Sequence, residues 1–180
     1  MSSKCGLKCI LSGVVLFSAL LSSYAQPRSL GTSISYTGIA AEYEHRLPKD
    51  NSFLNVSLKA QMSEYNADRA SYPGISASLT WTSILKQWQS SEGNTISFFA
   101  GPGAIIGYEK DCKAAEGVFL GIKGRAGFEC AFSRNIIISA NIAPIIGSHL
   151  IYNNGLMSMK YYKNGLLYTL VPEVSIKYAF

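Results

Sequence analysis

From Leu54 to Ser63, apolar and polar side chains alternate without exception. Leu54, Val56, Leu58, Ala60 and Met62 share one parity, and Asn55, Ser57, Lys59, Gln61 and Ser63 share the other. Successive side chains of a β-strand point to opposite faces, so this run is a strand with one apolar and one polar face. A helix would instead repeat its apolar residues every three to four positions. The pattern returns along most of the chain. Ile75, Ala77, Leu79 and Trp81 alternate with Ser76, Ser78, Thr80 and Thr82. Residues 95–108 carry Ile96, Phe98, Ala100, Ala104, Ile106 and Tyr108 on one face and Gly101, Gly103 and Gly107 on the other. Val118, Leu120, Ile122, Ala126, Phe128 and Phe132 oppose Lys123, Arg125 and Glu129, and residues 136–149 set Ile136, Ile138, Ala140, Ile142 and Ile146 against Ser139 and Asn141. In the last fourteen residues Tyr168, Leu170, Pro172, Val174, Ile176, Tyr178 and Phe180 oppose Thr169, Glu173, Ser175 and Lys177.

The phase slips once near the start. Ile34 and Tyr36 are apolar at even numbers, whereas Ile39, Ala41 and Tyr43 are apolar at odd numbers, with Glu42, Glu44 and Arg46 opposite. A one-residue slip reverses every side chain, so Thr37-Gly38 marks either a tight turn between two strands or a bulge in one. Connections then alternate in length: Pro48–Asn51 short, 66–74 long, 87–94 short, 109–116 a charged loop, 133–135 minimal, and about fifteen residues from 150 to 165. Short turns on one side and longer loops on the other are the rhythm of membrane barrels. Splitting residues 28–47 at the phase break gives eight strands, an even number consistent with both chain ends on one side. The reading is an all-β, eight-stranded antiparallel up-and-down transmembrane β-barrel. Pro102, Pro144 and Pro172 fall inside three strands and predict bulges, or strands that run past the membrane.

The start of the chain supports an envelope location. Lys4 and Lys8 precede an apolar run from Cys9 to Leu21 and a small-residue exit at Ala25, which reads as a cleaved signal peptide over 1–25 and a barrel domain over 26–180. The run is shorter than the ~20 apolar residues of a spanning helix. Beyond it the balance is 14 basic to 11 acidic side chains, since 16 Lys and Arg less Lys4 and Lys8 face 11 acids. That excess is too small and scattered to imply direct binding of nucleic acid. Cys112 in a loop and Cys130 near the far end of the next strand are too distant to form a disulfide. Cys112 beside Asp111 and Lys113 reads as an incidental exposed thiol. Nothing suggests a metal cluster, a phosphate loop or another cofactor.

Charges on the polar parity define the candidate site. Lys59, Lys123, Arg125, Glu129, Glu173 and Lys177 would face the lumen. Eight strands leave an interior that side chains just fill, so an ion-pair plug is favoured over a conducting pore. Tyr178 and the terminal Phe180 resemble the C-terminal insertion signal of outer-membrane barrels, which implies the barrel-insertion machinery and outer-membrane lipid as partners, in a Gram-negative bacterium. His149 with Asn153 loosely resembles the His-x-Ser-Asn region of lipid A deacylases, but Ile151 stands where the serine belongs and Ser148 points the other way. No catalytic residue is assigned; His149 reads as a loop-edge residue and His45 as an interfacial one. A lipid-A-modifying barrel enzyme and a small pore remain the alternatives. The segments IAAEYEHRLPKDNSFLNVSLKAQ (39–61), ISFFAGPGAIIGYE (96–109) and FLGIKGRAGFECAFSRNIIISANI (119–142) resemble small outer-membrane barrels of Bacteroidetes-type bacteria. Their spacing is similar to the TraO family of conjugal transfer proteins. The resemblance implies a non-catalytic component of an envelope assembly, meeting another envelope protein through loops 66–73, 109–116 and 150–165.

Overall fold

The computed structural model describes residues 28–36, 38–47, 51–61, 74–90, 93–111, 115–132, 135–153, 156–161 and 172–180. The expected signal peptide, loop 66–73 and Cys112 lie outside them. The strands in chain order are β1 (Arg28–Ser35), β2 (Gly38–Leu47), β3 (Ser52–Gln61), β4 (Gly74–Gln89), β5 (Thr95–Asp111), β6 (Ala115–Phe132), β7 (Ile136–Ile142), β8 (Ile145–Asn153), β9 (Leu156–Tyr161) and β10 (Glu173–Ala179). Each of β1 to β6 pairs antiparallel with the next, and β10 joins β7 to β1. The ring is therefore closed with eight strands. β8 carries β7 onward along β6, and β9 pairs with β8.

Register fixes the geometry of the cylinder. From Gly31, ladder partners through Glu42, Ser57, Ser78, Ile105 and Gly121 lead to Gly147. The other way round, through Lys177, they lead to Ile137. The two end points lie ten residues apart on the same wall, so the strands must tilt. With about 3.3 Å per residue and about 4.8 Å between strands, that stagger corresponds to a tilt of roughly 40°. Such a barrel is narrow, and its axis is occupied by side chains.

The irregularities are local. β1 and β2 are separate strands, with Gly38 at φ 155° just after the phase break. A Cβ at Gly38 would run into the Ala60 carbonyl of β3, so both the conformation and the close approach call for glycine. β4 does not stop at residue 87 as its turn-like sequence suggested; it continues to Gln89 past a register shift between Ile84 and Lys86. That bulge explains why Trp81 at an odd number and Trp88 at an even number are both exposed.

The prolines correct the sequence-based expectation of bulges. Pro102 sits opposite Gly124 on β6 without any shift, and the β4–β5 ladder keeps its offset across the gap from Thr80 to Ser83. Pro144 interrupts the wall between β7 and β8, yet the offset against β6 is the same on both sides of it. Its carbonyl still accepts a 2.8 Å bond from the Gly124 N–H. Outward-facing Pro102 and Pro144 thus cost only local hydrogen bonds. Pro172 lies outside its strand, directly before Glu173.

Two expected loops are largely strand. Glu109–Gly117, Lys110–Glu116 and Asp111–Ala115 continue the β5–β6 hairpin through the charged segment. β8 and β9 lie within the expected loop of residues 150–165 and pair antiparallel, with Asn153 opposite Leu156. The final strand runs over Glu173–Ala179 among the described residues, and the start of the expected alternation, at 167–171, lies outside them.

The faces are inverted relative to a water-soluble barrel. Among the described residues, Leu30, Ile34, Leu58, Ile75, Leu79, Ile122, Ile146, Val174 and Ile176 are all exposed on the outside. The buried interior is mainly serine, threonine, asparagine and charged side chains. Exposed aromatic residues mark both ends: Tyr36 and Tyr108 at one, Trp88, Phe132, Tyr178 and Phe180 at the other.

Candidate functional site

The centre of the lumen is built on Glu44. Its Oε1 accepts from Lys177 Nζ at 2.5 Å, from Arg125 Nη1 at 3.2 Å and from Asn55 Nδ2 at 3.2 Å. Arg125 is planar and forked, and its other nitrogen, Nη2, reaches Glu42 Oε2 at 3.1 Å. Asn55 Nδ2 also lies 3.3 Å from Glu42 Oε2. Below this, Arg46 Nη2 donates to Glu129 Oε1 at 2.6 Å, and Lys177 approaches the other oxygen of Glu129 at 4.0 Å. Strands β2, β6 and β10 are thereby joined through the interior. Above, Lys59 meets Glu173 at 3.5 Å.

The other side of this cross-section is apolar. Phe53, Ile84 and Phe99 form a buried cluster on β3, β4 and β5, with the two rings edge to face at 5.6 Å. The Arg125 guanidinium lies 5.3 Å from the Phe99 ring and ties the two halves together. A second small cluster, Ile105 and Phe119 with Ile145, stands higher.

All six residues expected in the lumen point inward: Lys123, Arg125, Glu129 and Lys177 are buried, Glu173 is at the edge of burial, and Lys59 is partly covered. The structure brings five of them into ion pairs, while Lys123 donates to Ser78 Oγ at 3.4 Å. The sequence-based set omitted Glu42, Glu44 and Arg46. Their shared parity on β2, opposite Ile39, Ala41 and Tyr43, is the sequence signal that marks them.

His149 is not at a loop edge. It lies within β8, fully buried in the lumen, with its ring 5.4 Å from that of Phe119. The β8 strand continues four residues beyond it, which is why the sequence boundary misled. Ser148 belongs to the opposite face, so the two do not form a nucleophile and base. His45 is half-buried near the lower end of β2. Cys130 is a free, half-buried thiol on β6. Among the described residues there is no group of acidic, histidine or cysteine side chains placed to hold a metal.

At the lower rim the last strand is tied to the first residue of β1. Phe180 N–H donates to the Arg28 carbonyl at 2.8 Å, and Arg28 N–H donates to the Phe180 carbonyl at 3.3 Å. Asn135 Nδ2 donates to the Tyr178 hydroxyl and to the Ala179 carbonyl, each at 3.1 Å. Tyr178 and Phe180 remain exposed on the outer surface.

No protein-family model and no curated protein matches this chain. Among solved structures it is similar to the N-terminal β-barrel domain of Pseudomonas aeruginosa OprF, at 10% identity and a TM-score of 0.46, covering 86% of this chain and 96% of that one. It is also similar to Neisserial surface protein A, at 9% identity and a TM-score of 0.40, covering 86% of this chain and 92% of that one.

Proposed function

We propose that this protein is a non-catalytic outer-membrane β-barrel whose interior is a structural plug, and that it serves as an interaction component of an envelope assembly. The observation that carries the reading is the inversion of the two faces. A continuous apolar exterior would be unstable in water as a monomer, whereas hydrocarbon stabilises it. A closed ring leaves no unpaired strand edge along its wall to face lipid. The charged interior matches carboxylates to cations at hydrogen-bonding distance and leaves little free cross-section for solutes.

The finer part of the proposal is the place of action. The resemblance of residues 39–61, 96–109 and 119–142 to TraO-family proteins supports a role in conjugative transfer. The partner surface would be the long-loop side, at residues 66–73 and at the ends of the β5–β6 and β8–β9 hairpins. Tyr178 and Phe180 would act in recognition by the insertion machinery. Fractionation of cells into inner and outer membranes, followed by gel electrophoresis with and without heating, tests the membrane reading. Outer-membrane recovery and a heat-dependent mobility shift are expected. Recovery as a soluble periplasmic protein would overturn it.

A further inference from the structure

We infer that the outer wall at the lower end of β4 holds the headgroup of one anionic phospholipid of the phosphatidylglycerol class, with Lys86 and Trp88 as its contacts. Between the aromatic residues at the two ends of the wall, Lys86 is the one charged side chain that the described residues expose to the outside. No carboxylate among the described residues pairs with it. An ammonium at the edge of hydrocarbon draws a lipid phosphate as its counter-charge. The inference rests on the membrane reading proposed above.

The outward position of Lys86 is made by the bulge. Earlier on β4, Ser76, Ser78, Thr80, Thr82 and Ile84 share its even parity and are buried in the lumen. Without the register shift between Ile84 and Lys86, both Lys86 and Trp88 would follow them inward. The strand is held just before the shift, where the Ile84 N–H donates to the Asn51 carbonyl at 2.7 Å. Beyond it, Lys86 Nζ lies 5.1 Å from the centre of the exposed Trp88 ring. Trp88 follows Lys86 toward the lower end, so the charge sits below its own backbone, at the wet boundary. The indole N–H adds a second donor and no acceptor, which suits a phosphate. A zwitterionic headgroup carries its own cation, so the net attraction favours the anionic one. Above the charge, Ser83 and Ala100 face each other in the ladder and are both short. They leave a shallow dip for an acyl chain below the exposed Trp81. Phe98, the ladder partner of Lys86, packs on Phe128 with the ring centres 5.0 Å apart and walls that dip from beneath.

The test uses the chain's own tryptophans. Trp81 and Trp88 are its two, so Trp81→Phe leaves Trp88 as the sole indole reporter. The refolded Trp81→Phe protein is placed in phosphatidylcholine vesicles. Part of the lipid is then replaced by brominated phosphatidylglycerol or, separately, by brominated phosphatidylcholine at the same mole fraction. Bromine quenches tryptophan on contact, so the ratio of the two quenching efficiencies reports which lipid sits beside Trp88. Phosphatidylglycerol is expected to be favoured roughly fivefold, the attraction of one lysine for an anionic surface. Lys86→Gln should bring the two lipids to parity, and Lys86→Arg should keep the preference. Equal quenching in the Trp81→Phe protein would overturn the inference and leave the membrane reading standing, as would a preference that persists in Lys86→Gln. Quenching by neither lipid would overturn both, because Trp88 would then not touch lipid.

Discussion

Lys177 of β10 and Glu44 of β2 meet at 2.5 Å across the width of β1, the strand that separates them in the sheet. The contact passes over Gly31, whose ladder partners are Lys177 on one side and Glu42 on the other. It links the last strand to the first hairpin at the seam where the cylinder closes. Both side chains are almost completely inaccessible.

Removing one member of this pair should therefore be costly. Breaking a buried ion pair by neutralising one partner is destabilising by about 3–5 kcal/mol. Lys177→Met leaves Glu44 with Arg125, whereas Glu44→Gln leaves both Lys177 and Arg125 short of charge. Glu44→Gln is expected to be the more harmful. The double variant should lose less than the two single losses combined, because the pair is removed as a unit. Urea unfolding of the refolded barrel in lipid or detergent measures all three.

The glycine beneath the contact gives a separate test. A Cβ at Gly31 would lie about 2.5 Å from Lys177 Cγ and closer still to the Ile176 carbonyl. Gly31→Val should displace Lys177 from Glu44 and destabilise by about 1–3 kcal/mol or more through overpacking. Added to Lys177→Ala, the same substitution should cost less, since the Cγ that it would strike has gone. A full additive loss in the combined variant would show that the backbone clash with β10 dominates.

Neighbouring residues on β6 allow the membrane assignment to be tested by position alone. Ile122 is 67% exposed and faces outward, while Lys123 faces the lumen. Ile122→Arg should cost roughly 2–4 kcal/mol if it lies near the bilayer midplane. The same change in a soluble barrel would be neutral or would improve solubility. Comparing its stability in lipid vesicles with that of Ile122→Val decides between these cases, and an unaffected Ile122→Arg would contradict a lipid-facing wall.

Most of the barrel could be read from parity, because one wet face and one apolar face impose a period of two on each strand. The break at Thr37-Gly38 was legible for the same reason, since a phase reversal needs a physical cause. The bulge at Leu85 was encoded in the same way, by Trp81 and Trp88 having opposite parity, but the polar residues between them imitated a turn. The β8–β9 hairpin was obscured because Ser158 and Lys160 are exposed along with Met159, so no clean two-faced pattern marked it. Lumen charges could be assigned to a face strand by strand. Their pairing could not, because Glu44, Arg125 and Lys177 come from three distant strands and meet only through the stagger of the closed ring.

The lumen cross-section is filled by two unlike halves, and this predicts how it could be made to leak. Phe53, Ile84 and Phe99 fill one side, while Glu44, Lys177, Glu129 and Arg46 fill the other. Truncating the apolar half leaves the ion pairs intact. Phe53→Ala and Phe99→Ala should each lower stability by about 3–5 kcal/mol through the lost contacts and the cavity left behind. A cavity beside charged groups fills with water, unlike one lined only by hydrocarbon. The double variant, refolded and reconstituted in a planar bilayer, is therefore expected to show a small steady conductance that the wild type lacks. Arg125 would lose its aromatic neighbour and widen the gap further, so Phe99→Ala alone should conduct more than Phe53→Ala alone. A tight double variant would mean that the ionic half seals the barrel unaided, and a wild type with steady conductance would contradict the plug itself.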